Sequence, residues 1–403
     1  MGLKEKYYTF TLKVKMMNCF RAANLYFKSK SGDKTIYIYP KVHSVVKKND
    51  ENCTEITFTL MNGLDPSEVK KKLYVFQQFF GRSIELKGDL KKYTLFVYHT
   101  ALKPDLIYNY KNIKSFLEDI KFPIVTGQKK NGRYLVLDAM ELPHVIIQGV
   151  SGSGKSSAIR VILTTLIKTL RPEQLDIYSI DGKKAEFQLF KKVEHVQAVV
   201  HSNKHAREIL DHLCNEMKKR EDLQETFDVP HIDDLPKEHK QKYILLAIDE
   251  MYEYMDDDVI QEKIIKIASK GRSVGIILLL SAQRMDADVI DTKARANFNI
   301  RMSFRAVDRV NARLLGTDGA EKIKGELKGR FILNYGDIEE LQSPHLTYEK
   351  AKKLLNPFFV SKTDLNDITE VKKESNTNTL PNNTKLLKSK PKQSDDDLKF
   401  FLE

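Results

Sequence analysis

The order of apolar and polar positions divides the chain into three unlike stretches. Residues 35–46 (TIYIYPKVHSVV) and 55–60 (EITFTL) are rich in β-branched and aromatic side chains and predict strands. Asn62-Gly63 predicts a turn, and Asp65-Pro66-Ser67 a helix start. From Glu68 onward, Val69, Leu73, Phe76 and Phe80 recur at i, i+4, i+7 and i+11, one face of a helix of about three turns. Strand-like runs follow at 83–86 and 93–98, whereas residues 1–30 mix Lys with scattered aromatics and show no clear period. This pattern predicts a small α+β domain over residues 1–123.

From about Ile124 the pattern changes. Short apolar runs at 145–148, 177–180, 243–248 and 274–280 alternate with helical stretches, one opening at Lys155 and another near 261–269. Such alternation predicts an α/β fold, a mostly parallel sheet with helices on both faces, over residues 124–359. Beyond that, residues 360–403 are rich in Asn, Ser and Lys, nearly free of aromatics, and read as a disordered polar tail. The tail ends in an acidic and apolar tip, DDDLKFFLE, which reads either as a frayed terminus or as a tethered docking segment.

Composition narrows the class. The 403 residues are 41% hydrophobic and 30% charged, which suits a globular chain with a tail. Three scattered cysteines, Cys19, Cys53 and Cys214, form no CxxC pair, excluding a disulfide scaffold and a cysteine zinc site. No apolar run approaches the roughly 20 residues that span a bilayer, and the N-terminus lacks a signal-peptide apolar region. These features predict a cytoplasmic protein with no transmembrane segment of its own. The net charge of +12 is uneven: residues 1–121 hold 22 Lys and Arg against 12 Asp and Glu, a net of +10. A positive field concentrated in the first third points to a polyanion, either nucleic acid or an anionic membrane face.

Candidate chemistry sits in the second stretch. Gly149-Val150-Ser151-Gly152-Ser153-Gly154-Lys155-Ser156 fits GxxxxGK[ST], follows the apolar run HVIIQ and opens an apolar-periodic helix. That strand–loop–helix context is what a phosphate-binding loop requires. Backbone N–H groups of residues 149–157, through Ser157, would cradle the phosphates of ATP. Lys155 would reach the β- and γ-phosphates, and the Ser156 hydroxyl would ligate Mg²⁺. A second apolar run, 244–248, ends in Asp249-Glu250. Asp249 is placed to hold Mg²⁺, and Glu250 to polarise the attacking water, as in an additional-strand ATPase. A third run ends in Ser281-Ala282-Gln283-Arg284, where Gln283 suits a γ-phosphate sensor. Arginines then recur at 295, 301, 305, 309 and 313, from which a transition-state-stabilising finger can be drawn.

In this order the motifs resemble those of the FtsK/SpoIIIE family of DNA-pumping ATPases. Leu142-Pro143-His144 precedes the loop strand, Ser179-Ile180-Asp181-Gly182-Lys183-Lys184 resembles the family's IDPK segment, and Glu216–Arg220 its EMERR helix. Ile248-Asp249-Glu250, Ser281–Arg284, residues 297–305 (NFNIRMSFR) and Gly319-Ala320-Glu321 follow in sequence. The resemblance implies a RecA-like motor, a homo-hexameric ring threaded by double-stranded DNA, with ATP hydrolysed between subunits. It implies Arg301 and Arg313 as finger candidates, and Lys322, Lys324, Lys328 and Arg330 as DNA-facing residues. The layout is nearest to the coupling ATPases of Gram-positive conjugative plasmids and transposons. It implies a relaxase or membrane channel as partner, with recruitment to the inner face of the membrane. The competing reading is a nucleotide-gated DNA-binding adaptor that recruits DNA without processive movement; the hydrolytic Glu250 argues against it.

Overall fold

The computed structural model describes residues 2–31, 34–49, 51–100, 102–285 and 292–360. The polar tail expected over 360–403 lies outside the described residues, Val360 excepted.

The chain begins with a helix, α1 (Leu3–Ala22), where no period was evident. Its periodicity is hidden because apolar residues occupy two opposite faces. Met16, Cys19 and Phe20 are buried on one, while Leu3, Tyr7, Phe10, Val14 and Met17 are exposed on the other. A two-stranded antiparallel ribbon follows, β1 (Phe27–Ser31) and β2 (Lys34–Ile38). The strand predicted over 35–46 is thus two. Pro40, which cannot donate a ladder hydrogen bond, lies between β2 and β3 (Lys41–Lys48), and the two enter different sheets.

β3 and β4 (Cys53–Thr59) pair antiparallel. The predicted helix from Glu68 is also divided, into α2 (Pro66–Lys71) and α3 (Leu73–Phe80), with the break at Lys72. Asp65 caps α2, its carboxylate accepting from the Ser67 N–H at 2.8 Å. β5 (Ile84–Gly88) and β6 (Lys92–Tyr98) complete a sheet of order β3-β4-β6-β5. Its core stacks Phe58 on Tyr93 and on Phe76, with Phe20 of α1 packed 5.1 Å from Phe58.

After a short helix, α4 (Tyr110–Lys114), a ten-stranded sheet forms. Its antiparallel part contains β7 (Pro123–Gln128), β8 (Tyr134–Asp138), β15 (Arg330–Asn334) and β16 (Ile338–Gln342). The parallel part contains β9 (Val145–Gln148), β10 (Leu175–Asp181), β11 (Val196–Val200), β12 (Tyr243–Asp249), β13 (Ile276–Ala282) and β14 (Ile300–Ser303). The order is β11-β10-β12-β13-β9-β14-β15-β16-β7-β8. The main helices are α5 (Lys155–Thr169), α6 (Asn203–Phe227) and α7 (Asp258–Lys270). Shorter ones are α8 (Thr292–Ala296), α9 (Arg309–Leu314) and α10 (Tyr348–Leu355).

The parallel strands are apolar at successive positions because both faces are covered. Val145, Ile147, Leu245, Leu279 and α5 share one core, while Ile146, Leu246, Leu278, α6 and α7 share the other. β13 lies between β9, which feeds the candidate phosphate-binding loop, and β12, which ends in the acidic pair. This is the additional-strand arrangement expected from Glu250.

His144 explains the Leu-Pro-His segment before β9. Its Nε2 lies 3.0 Å from the Ala268 carbonyl, and its Nδ1 accepts from the Leu278 N–H at 3.0 Å. Since Nδ1 accepts, Nε2 carries the proton and donates. Burial pushes the ring's pKa down to about 4, against the raising effect of its bond to Ala268.

Candidate nucleotide-binding and hydrolysis site

The site forms where parallel strands end together. β9 runs into the loop at Gly149, β10 into Lys183, β12 into Asp249-Glu250, and β13 into Gln283. Residues Val150 to Ser157 of the loop, except Ser153, line a cleft of about 590 Å³ together with Lys183, Asp249, Glu250 and Gln283. That volume lies within the range of small-molecule sites, about 300–1,000 Å³.

Backbone bonds fix the loop. The Val150 N–H donates to the Arg305 carbonyl at 3.0 Å, and the Gly329 N–H to the Ser153 carbonyl at 2.8 Å. Gly154 has φ +117°, and a Cβ there would lie 2.7 Å from the Gly329 nitrogen. Glycine is therefore required on both conformational and steric grounds. α5 begins at Lys155, so its unpaired N-terminal N–H groups and positive dipole end face the cleft.

Lys155 is buried, with Nζ 3.6 Å from Glu250 Oε2 and 4.0 Å from Asp249 Oδ1. Lys183 reaches the same Glu250 oxygen at 2.7 Å. Gln283 meets Glu250 through its main chain, its N–H donating to Oε1 at 3.2 Å, while its side chain is exposed at the cleft. Burial would raise the Glu250 carboxyl. The Lys183 hydrogen bond, the Lys155 charge and the Gln283 N–H outweigh it and hold the group below its ordinary range. Asp249 is pushed the other way: burial raises it beyond what Lys155 and the Ser281 hydroxyl, which donates to Oδ1, can offset. Glu250 also adopts a left-handed backbone, φ 55° and ψ 62°. For a non-glycine residue that costs about 1–3 kcal/mol and is characteristic of functional positions.

The donors suit a hard cation. Ser156 and Asp249 supply only oxygens at the cleft. Asp181 lies level with Asp249 on the neighbouring strand, and its Oδ1 is buried without a hydrogen-bond partner among the described residues. An all-oxygen set of this kind fits Mg²⁺.

The far end of the cleft is built from residues without a sequence signature. Pro104, Asp105 and Ile107 come from the segment between the two large sheets, and Pro344 and His345 follow β16. A parallel bridge between Ile107 and His345 joins them. Arg160 of α5 pairs with Glu186 and donates to the Leu346 carbonyl at 3.0 Å, closing the wall.

The arginine and lysine candidates separate. Arg301 is half-buried on β14, donating to the Phe298 carbonyl at 2.7 Å and the Arg295 carbonyl at 3.3 Å. Arg313 is exposed at the end of α9, 3.3 Å from Asp318. Neither lines the cleft of its own chain. Lys322 and Lys324 are exposed, and Lys328 lines the cleft mouth. Arg330 is different: it is buried, donating to Gln342 at 3.0 Å, Glu340 at 3.1 Å and the Leu102 carbonyl at 3.0 Å. Its guanidinium is consumed inside the fold, not offered to a polyanion. The sequence pattern gave no hint of this, because the partners lie on β16 and in the inter-sheet segment.

Comparison with known proteins agrees with the motif resemblance. Residues 109–255 match the FtsK/SpoIIIE family. The chain is 33% identical over 220 residues to the DNA translocase SftA of Bacillus subtilis, covering 52% of this chain and 23% of that protein. It is 31% identical over 225 residues to the DNA translocase FtsK of Borreliella burgdorferi, covering 53% and 29%. It thus spans about a quarter to a third of the length of these curated relatives. Among solved structures, the conjugation coupling protein TcpA of pCW3, a monomer form with ATPγS, superposes with a TM-score of 0.58 at 23% identity. That match covers 85% of this chain and 98% of the matched chain, and it shows a shared fold.

Proposed function

We propose that this chain, whose central segment matches the FtsK/SpoIIIE family, is an ATP-hydrolysing motor that moves double-stranded DNA. The observation that carries the reading is the convergence of Lys155, Asp249 and Glu250 on one cleft, with β13 between their strands. A triphosphate entering the loop competes for Lys155, which in the structure faces two carboxylates. Lys155 then holds the β- and γ-phosphates. Glu250, kept ionised by its neighbours, orients and polarises the attacking water, while Gln283 senses the γ-phosphate. Ser156 and Asp249 would hold Mg²⁺, which supplies charge neutralisation of the phosphates when bound.

The relatives are named DNA translocases, which supports DNA as the polymer. A homo-hexameric ring belongs to the same proposal, with an arginine from one subunit completing the next subunit's site. Exposed Arg313 suits that role better than Arg301, whose donors already serve carbonyls. Exposed Lys322 and Lys324 are proposed to face the DNA. The test is the ATPase rate with and without long duplex DNA. Stimulation that fades as salt rises supports the motor, because phosphate contacts release counterions. A rate indifferent to every DNA contradicts it and favours the adaptor reading.

A further inference from the structure

The outer face of α1 takes no part in the site just described. Leu3, Tyr7, Phe10, Val14 and Met17 are 91, 74, 66, 43 and 37% exposed. At about 100° per residue they fall within an arc of about 80°, a stripe about 21 Å long. The opposite face is occupied: Met16, Cys19 and Phe20 are buried in the core of the small domain, and the Tyr8 hydroxyl lies 3.1 Å from Thr54 Oγ1. The stripe is therefore held outward by a helix anchored on its other side.

Lysines border the stripe on both flanks, Lys4 and Lys15 on one and Lys6 and Lys13 on the other. Lys15 leans over the Phe80 ring, 5.2 Å from its centroid, while Lys4 and Lys6 are exposed. We propose that α1 is a peripheral membrane-docking helix. It lays Leu3, Tyr7, Phe10, Val14 and Met17 into the headgroup boundary of an anionic bilayer while Lys4, Lys6 and Lys13 meet the lipid phosphates. With the opposite face buried in the small domain, the exposed apolar stripe with aromatics, edged by lysines, is the surface that a helix lying in the plane of an interface presents to lipid. Lysine stems extend along such a surface and keep their charges in the headgroup layer.

Charge selects this occupant over two others. A second copy docking through the same stripe would set Lys4, Lys6 and Lys13 beside their counterparts at the seam edges, where like charges oppose pairing. DNA satisfies the lysines but leaves the five apolar side chains in water.

The test is co-sedimentation of the full chain with phosphatidylcholine vesicles, with and without about 30% phosphatidylserine, beside the double variant Phe10→Glu/Val14→Glu. The proposal expects binding at least about tenfold stronger to the anionic vesicles, weakened by salt. The double variant should lose about tenfold of that binding while keeping the wild-type far-ultraviolet dichroism, melting temperature and ATPase rate. The single variant Phe10→Leu should bind like the wild type. Absence of binding to anionic vesicles overturns the proposal. So does binding that the double variant retains, which would assign it to general basicity. So does vesicle-free self-association that the double variant abolishes, which would assign the stripe to a second copy.

Discussion

Lys183 Nζ lies 2.7 Å from Glu250 Oε2, so the carboxylate proposed to activate water is tied to a lysine from a neighbouring strand's end. Lys155 stands 3.6 Å from the same oxygen. Two ammonium groups thus share one carboxylate and keep it charged in a site whose burial favours the neutral acid.

Lys183→Met removes the main influence that holds the Glu250 pKa down. Hydrolysis requires the ionised carboxylate, so activity falls away on the acid side as Glu250 takes up a proton. Without Lys183 that limb moves to higher pH. The Lys183 hydrogen bond also fixes where the carboxylate sits, so through that lost positioning the rate at neutral pH is expected to drop by about tenfold, while nucleotide affinity changes by less than about threefold. A pH–rate profile measured beside equilibrium nucleotide binding checks this. An unmoved acid limb would remove Lys183 from the positioning of Glu250.

Lys155→Ala is expected to lower hydrolysis by at least about a hundredfold and to weaken nucleotide binding, whereas Glu250→Gln should lose hydrolysis by a similar factor yet still bind nucleotide. Equilibrium binding with a fluorescent ATP analogue, set beside steady-state rates, separates the two roles. If Glu250→Gln hydrolysed ATP normally, the water-activating group would have to lie elsewhere.

Arg330→Ala should act on the fold and not on DNA affinity. It removes the donors to Gln342 and the Leu102 carbonyl, a loss of about 2 kcal/mol for two buried hydrogen bonds, while Glu340 keeps Lys130 at 3.4 Å. Paired substitution of exposed Lys322 and Lys324 should do the reverse, leaving the melting temperature near wild type and flattening the salt dependence of DNA binding. Thermal melts and salt titrations of both variants check the division.

His144 makes stability pH-dependent in a defined window. Its folded pKa is about 4 against an ordinary value of 6.5, so between these pH values the unfolded chain binds the extra proton. The stability it contributes is complete above about pH 6.5 and is lost as pH falls toward about 4. His144→Ala should cost about 2 kcal/mol at neutral pH, from the two bonds lost to Ala268 and Leu278. The wild-type advantage should shrink as the medium is acidified, read from denaturant melts at several pH values.

Much of the candidate site was legible in the sequence because its pattern is local. A phosphate-binding loop needs its glycines and lysine within eight consecutive positions, and the acidic pair ends an uninterrupted apolar strand. Both patterns survive in one dimension. The Lys183–Glu250 bond and the Ile107–His345 bridge do not, since each joins segments far apart in the chain. α1 escaped notice for another reason: two apolar faces on one helix erase the period that a single face would show. The split at Lys72 was hidden because the apolar spacing runs on across it; Leu73 and Phe80 are only partly buried, while Val75 joins Phe76 in the core.

The central claim is movement along DNA, and displacement of a third-strand oligonucleotide from the far end of a long duplex measures it. The account predicts ATP-dependent release that grows with protein concentration and disappears in Glu250→Gln. Vigorous DNA-stimulated hydrolysis with the third strand left in place would contradict it.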